Sequence, residues 1–197
     1  ALFKQKYVWL FFLGIFCYVS TEQGTSIFMS TFLEQYHGVN PQTDGAQAVS
    51  YFWGLMTAGC LVGMLLLKLI DSKRLLQISG VLTIVLLLSA LFGSKGIALI
   101  AFPAVGFSIS MMYSIVFSLA LNSASQHHGS FAGILCSAIV GGAGGPMIVS
   151  TIADATSLRT GMLFILVFVG YITFIGFWAR PLINNKTVKL KKLLKKA

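Results

Sequence analysis

Six apolar runs, at about residues 7–36, 48–70, 75–93, 97–121, 130–152 and 162–179, occupy nearly the whole chain and leave little room for anything else. A hydrocarbon core about 30 Å thick is crossed by roughly 20 apolar residues in a helix, because a helix satisfies its own backbone hydrogen bonds where water is absent. The pattern predicts an all-α membrane protein, one six-helix transmembrane domain over 1–197, with 180–197 as a basic cytoplasmic tail. Charge content agrees: 10% of residues are charged, against roughly 25% in a soluble domain. The first run is too long for a signal peptide and shows no small-residue cleavage pattern, so it reads as a retained span.

Basic residues give the orientation. Twelve of the 14 lysines and arginines, among them Lys4, Lys6, Lys68, Lys73, Arg74, Arg180 and the cluster from Lys186 to Lys196, fall on one side of a six-span arrangement. Lys95 and Arg159 fall on the other. The positive-inside rule then puts both termini in the cytoplasm, and places the chain in the cytoplasmic (inner) membrane. The +9 net charge is accounted for by this bias and the tail, which suits an anionic lipid surface. It calls for no nucleic acid. Cys17, Cys60 and Cys136 lie within spans at no metal-binding spacing and read as small packing residues. The adjacent His127 and His128 cannot point the same way from a helix, so no metal site and no cofactor is expected.

The spans divide by type. The first carries "CYVSTEQGTSIFM", Cys17 to Met29, which places a carboxylate, Glu22, near the middle of a roughly 30-residue run. Tyr18, Glu22, Thr25, Ser26 and Met29 recur at three- and four-residue steps and share one face. Ser110, Ser114, Ser118 and Asn122 step by four through the fourth span, with Tyr113 beside them. Spans two and five are rich in small residues (Gly54/Ala58 and Gly59/Gly63; Gly133, Ser137, Gly141 and Gly145), which let helix backbones approach closely. In "GGAGGP", Gly141, Gly142, Gly145 and Pro146 form a candidate hinge. Spans three and six have the fewest polar residues and read as lipid-facing supports. The order polar, small, oily thus occurs twice. Each unit holds an odd number of spans, so the two units run in opposite directions as inverted three-helix repeats.

Four stretches carry a resemblance: "FCYVSTEQGTS", "VSYFWGLMTAGCLVG", "GFSISMMYSIVFSLAL" and "GSFAGILCSAIVGGAGGPMIVSTIADA". They are similar, in this order, to the C-terminal six-helix half of major facilitator superfamily transporters of the fucose/galactose/glucose:proton symporter family. The resemblance implies that spans one and four line a central cavity, that the substrate is a monosaccharide taken up with protons by alternating access, and that the partner is an N-terminal half or a second copy. The family often has an arginine where this chain has Cys60. In its fucose members, the carboxylates assigned to proton coupling lie in the N-terminal half, which this sequence does not contain.

Glu22, Gln23, Tyr18, Ser26, Tyr113 and Asn122 are therefore the candidate substrate-binding residues, with Glu22 also the proton-coupling candidate. Amides offer a sugar hydroxyl both donor and acceptor, and aromatic rings can stack on a pyranose face. An ionisable group inside a span more often marks a pathway than a purely structural contact. Asp71 and Asp154 sit at span ends near basic residues, where ion pairs or helix capping are the ordinary role, and their similarity to superfamily loop positions implies conformational gating as the sharper one. An intramembrane hydrolase would need a nucleophile paired with a base, yet no histidine lies within a span and no Gly-x-Ser-x-Gly occurs. The competing reading is a truncated or structural membrane protein with no transport activity of its own.

Overall fold

The computed structural model describes residues 5–124 and 126–182. Lys4 and the tail from 183 onward lie outside the described residues. Helix α1 (Lys6–His37) runs for 32 residues, about 48 Å at 1.5 Å per residue. It ends where Gly38 adopts the left-handed conformation (φ 60°) and the Gly38 and Val39 N–H groups donate back to Glu34 and Leu33, the arrangement that glycine makes available past a helix C-terminus. A wide helical turn over Pro41–Gly45 leads into α2 (Ala46–Leu69). Asp71 then caps α3 (Ser72–Phe92) by accepting the Lys73 N–H at 3.0 Å.

The remaining three spans are broken rods. Span four is α4 (Lys95–Ile109) followed by α5 (Met112–Leu121), interrupted at Ser110–Met111. Span five is α6 (His128–Ser137), a tight turn over Ala138–Val140, and α7 (Gly141–Ala155), and span six is α8 (Leu158–Leu163) followed by α9 (Ile165–Trp178). The irregular turn in span five adjoins Gly141, whereas Pro146 lies within continuous α7. Spans two to six are long and apolar enough to cross a membrane. Span one matches them in length, and the polar residues at its middle lower its mean hydropathy.

The six spans form two inverted triplets, and the packing shows it. α1 packs on α7 as α4 packs on α2, α9 lies against α1 as α3 lies against α4, and α3 and α9 meet. Exchanging spans one with four, two with five and three with six maps this set of contacts onto itself. Individual residues repeat the relation. A Cβ on Gly141 of span five would strike the Phe16 carbonyl of span one, while between spans two and four the glycine is on the polar span, where a Cβ on Gly106 would strike the Phe52 carbonyl. As direct counterparts, Gly145 abuts Ser20, and Gly59 abuts Ser110. In the last two contacts a small-residue span meets a serine of a polar span.

The core is aromatic and aliphatic, built around Phe11, Phe32, Phe52, Phe102 and Phe131, all fully buried. Polar groups tie the ends. At one end Lys73 Nζ donates to the Ala179 carbonyl at 2.7 Å and Gln77 Nε2 to the Gly176 carbonyl at 3.0 Å, joining α3 to the close of α9. At the other, the Arg159 guanidinium lies 4.4 Å from the Tyr36 ring, 5.5 Å from Phe92 and 5.8 Å from Phe32. These contacts join spans six, one and three.

Candidate functional site

Glu22 stands 16 residues from the start of α1 and 15 from its end, about 23 Å along the axis from either terminus. A carboxylate at that depth is costly unless it meets polar groups or a wet cavity. Its Oε1 accepts from Gln23 Nε2 at 3.2 Å, and the Tyr18 hydroxyl, one turn earlier, reaches it. Both Glu22 and Gln23 are partly exposed. The Tyr18 ring is buried and lies 5.6 Å from that of Tyr113 at 58°, and Tyr113 stacks on Phe117 at 5.7 Å. Three rings therefore connect the polar middle of span one to span four.

From Tyr113 a cleft of about 560 Å³ runs along α5 to the start of α6, lined by Ser114, Phe117, Ser118, Leu121, Asn122 and His128. The four-residue step of Ser114, Ser118 and Asn122 puts them on this one wall.

The candidate residues do not all converge. Tyr18, Glu22, Gln23 and Tyr113 form one cluster. Asn122 lies at the far end of the cleft, where it ends α5 and its carbonyl accepts from the Leu182 N–H at 2.8 Å. Ser26 is buried and donates to the Gln23 carbonyl at 3.3 Å. Thr25 is fully buried and its hydroxyl has no partner among the described residues. Of the candidate hinge residues, Gly141 and Gly145 are packed against α1, where Ser20 Oγ donates to the Gly141 carbonyl at 3.0 Å. Asp71 caps α3, and Asp154 lines a separate cleft with Thr31, Gln35 and Ser150 at the opposite end of the bundle.

Phe117 and Leu121 were not singled out from the sequence, and His128 was considered there only as a metal ligand and not as part of a cleft. Phe117 follows Tyr113 by four, so helical periodicity alone would have found it. His128 is brought to the wall only by the turn between spans four and five, for which no sequence pattern speaks. Cys60, where the family often has arginine, donates its thiol to the Ser110 carbonyl at 3.3 Å, at the break in span four.

Six spans in two inverted triplets, with the polar first members of each side by side, constitute one half of a major facilitator superfamily fold. The matches agree. The chain superposes on the E. coli fucose:proton symporter FucP with a TM-score of 0.84 at 18% identity, over 91% of this chain and 44% of that one. Against FucP in the outward conformation the TM-score is 0.79 at 17% identity, over 90% and 43%. In sequence it is 34% identical over 178 residues to a glucose/galactose transporter of Brucella abortus, 89% of this chain and 43% of that protein. It is also 31% identical over 165 residues to a putative glucose/galactose transporter of Helicobacter pylori, 83% of this chain and 40% of that protein. No family model matches. The chain thus spans less than half the length of the relatives it matches; it is a multi-pass membrane protein, similar in sequence to proteins named glucose/galactose transporters and in fold to one half of FucP.

Proposed function

We propose that this chain is the C-terminal half of a secondary active monosaccharide transporter, working by alternating access against an N-terminal half or a second copy. It would sit in the cytoplasmic (inner) membrane with both termini in the cytoplasm, since Lys6, Lys68, Lys73, Arg74 and Arg180 gather at one end of the bundle. The observation that carries the reading is the cluster of Glu22, Gln23, Tyr18 and Tyr113 at the middle of spans one and four. A carboxylate and an amide linked to each other offer a sugar hydroxyl both acceptors and donors. The neighbouring rings offer an apolar surface for the sugar ring. The relatives named glucose/galactose transporters point to a hexose of that class.

Glu22 serves first as a sugar ligand. Proton coupling is its second role, favoured by its position as a carboxylate deep in the membrane within reach of Tyr18. Uptake of labelled glucose and galactose into proteoliposomes, with and without a pH gradient, tests both roles in the assembled transporter. Glu22→Gln keeps shape and hydrogen bonding but cannot titrate. As a ligand, Glu22 makes the variant lose exchange and gradient-driven accumulation together. As the proton carrier, it makes the variant keep exchange and lose accumulation. Wild-type behaviour on both measurements makes the carboxyl structural and rejects the reading of this site.

A further inference from the structure

A cavity of about 730 Å³ opens where the turn between α2 and α3 meets the end of α9, walled by Asp71, Lys73, Arg74, Gln77, Gly176 and Phe177. We propose that it is a binding site for the phosphate of an anionic phospholipid headgroup. The inference requires only that the chain spans a membrane and does not rest on sugar transport.

The electrostatics come first. The opening turn of α3 holds Lys73 and Arg74 and no acidic residue, although the positive end of a helix dipole favours acids there and disfavours cations. Asp71 is the one carboxylate in the wall, and it is engaged as the cap, accepting the Lys73 N–H. Two cations and the dipole therefore face one carboxylate, and an anion in the cavity would relieve the excess. Lys68, in the last turn of α2, and Arg180, next to Ala179, add positive charge nearby; both are exposed.

The wall is also held in shape. Lys73 Nζ and Gln77 Nε2 are anchored on the carbonyls of Ala179 and Gly176, which fixes the ammonium while leaving it further hydrogens to donate. Arg74 is exposed beside it, and its planar guanidinium suits two phosphate oxygens at once. The source of the phosphate follows from the rim. The turn joins two membrane spans, so the cavity opens at the membrane interface. Leu69, Ile70 and Phe177 line it, and Phe177 is 65% exposed, an apolar surface that acyl chains would cover and a free phosphate ion would not.

Native mass spectrometry of the chain released from detergent, titrated with phosphatidylglycerol against phosphatidylcholine, tests the site. Arg74 is exposed, so Arg74→Gln should fold; Lys6→Gln removes an equal charge at the same end of the bundle but outside the cavity. The expected result is preferential retention of phosphatidylglycerol, weakened about five- to tenfold by Arg74→Gln, restored in part by Arg74→Lys, and left within about twofold by Lys6→Gln. Equal retention of the two lipids, or an unchanged affinity in Arg74→Gln, overturns the proposal. Inorganic phosphate competing as well as the lipid would make the free anion the ligand and overturn the lipid assignment.

Discussion

The small-residue spans and the oily spans exchange the roles that their compositions suggest. In the apolar stretch of span two 17% of residues are buried within the bundle and in that of span five 28%, against 44% in span three and 50% in span six. The oily helices α3 and α9 pack on the polar spans and on each other, tied by Lys73, Gln77 and Arg159 at their ends and by the Thr83–Ser108 hydroxyl pair at 2.7 Å between α3 and α4. Their outer stripes, with Ile78, Val81 and Val85 on α3 and Val167, Phe174 and Phe177 on α9, are exposed. Lipid satisfies a stripe of this kind. The small-residue helices use one glycine row inside the bundle, Gly59 with Gly63 and Gly141 with Gly145, and leave another, Gly54 and Gly133, with nothing within reach. Small residues gain little from lipid and much from a close backbone, so a bare row of them marks a face suited to protein.

The inner glycine rows should be the least tolerant positions in the molecule. Gly141→Leu drives a side chain into the Phe16 carbonyl, and backbone cannot yield as a flexible side chain does. The expected loss is about 3 kcal/mol or more, read as a collapsed thermal transition of the chain in detergent followed by circular dichroism. A transition near that of the unmodified chain would mean that α1 and α7 are not held together by this approach.

Next in size is Arg159→Ala, which keeps the backbone donor to the Tyr36 hydroxyl but removes the cation from the Tyr36, Phe92 and Phe32 rings. About 1–2 kcal/mol should be lost, and Arg159→Lys should recover only part of it because the planar stacking is gone. If lysine restores stability in full, charge alone ties these span ends.

How far the sequence speaks differs between the two kinds of helix. Apolar runs, the twice-repeated order of types and the resemblance to one transporter half were sufficient for the fold class, because membrane burial leaves few alternatives to helices. The breaks were not legible. Span four is interrupted at Ser110–Met111, where neither residue is a helix breaker and Pro103 is seven positions earlier. The local partners of that break are tertiary: Cys60 donates to the Ser110 carbonyl and Gly59 lies against its side chain. Within the candidate site, periodicity put Thr25, Ser26 and Met29 on the face of Tyr18 and Glu22, yet all three are buried among neighbouring helices. A helical wheel ranks residues around one axis and does not say which neighbour covers them. In the same way, the glycine spacing announced close packing without saying which row is used within this half.

A smaller effect probes the oily side. Thr83 is fully buried, and its hydroxyl meets Ser108 and the Ser79 carbonyl. Thr83→Val leaves Ser108 still bonded to the Val105 carbonyl at 2.9 Å, so the expected loss is about 1 kcal/mol, measured on the same thermal transition. A loss as large as that of Gly141→Leu would mean that hydrogen bonds, and not backbone approach, dominate cohesion within this half.

The least effect on stability is expected at the outer glycine row, and it discriminates best between lipid and protein as the neighbour of spans two and five. Gly133 has nothing within reach of an added Cβ and is exposed on α6. Gly133→Leu should leave the thermal transition of the chain alone within about 0.5 kcal/mol, since leucine is a better helix former than glycine and meets only solvent or lipid. Joined to a partner half, the same leucine would stand in the interface and hold the two backbones apart, so sugar uptake by the assembled transporter should fall steeply while the chain remains folded. Val85→Leu, on the exposed stripe of α3, is the matched control and should alter neither measurement. If Gly133→Leu leaves uptake intact, the outer row faces lipid and the distinction between the two kinds of helix does not extend beyond this half. If it destabilises the isolated chain, the row is already packed within it, and the bare face must be sought elsewhere on spans two and five.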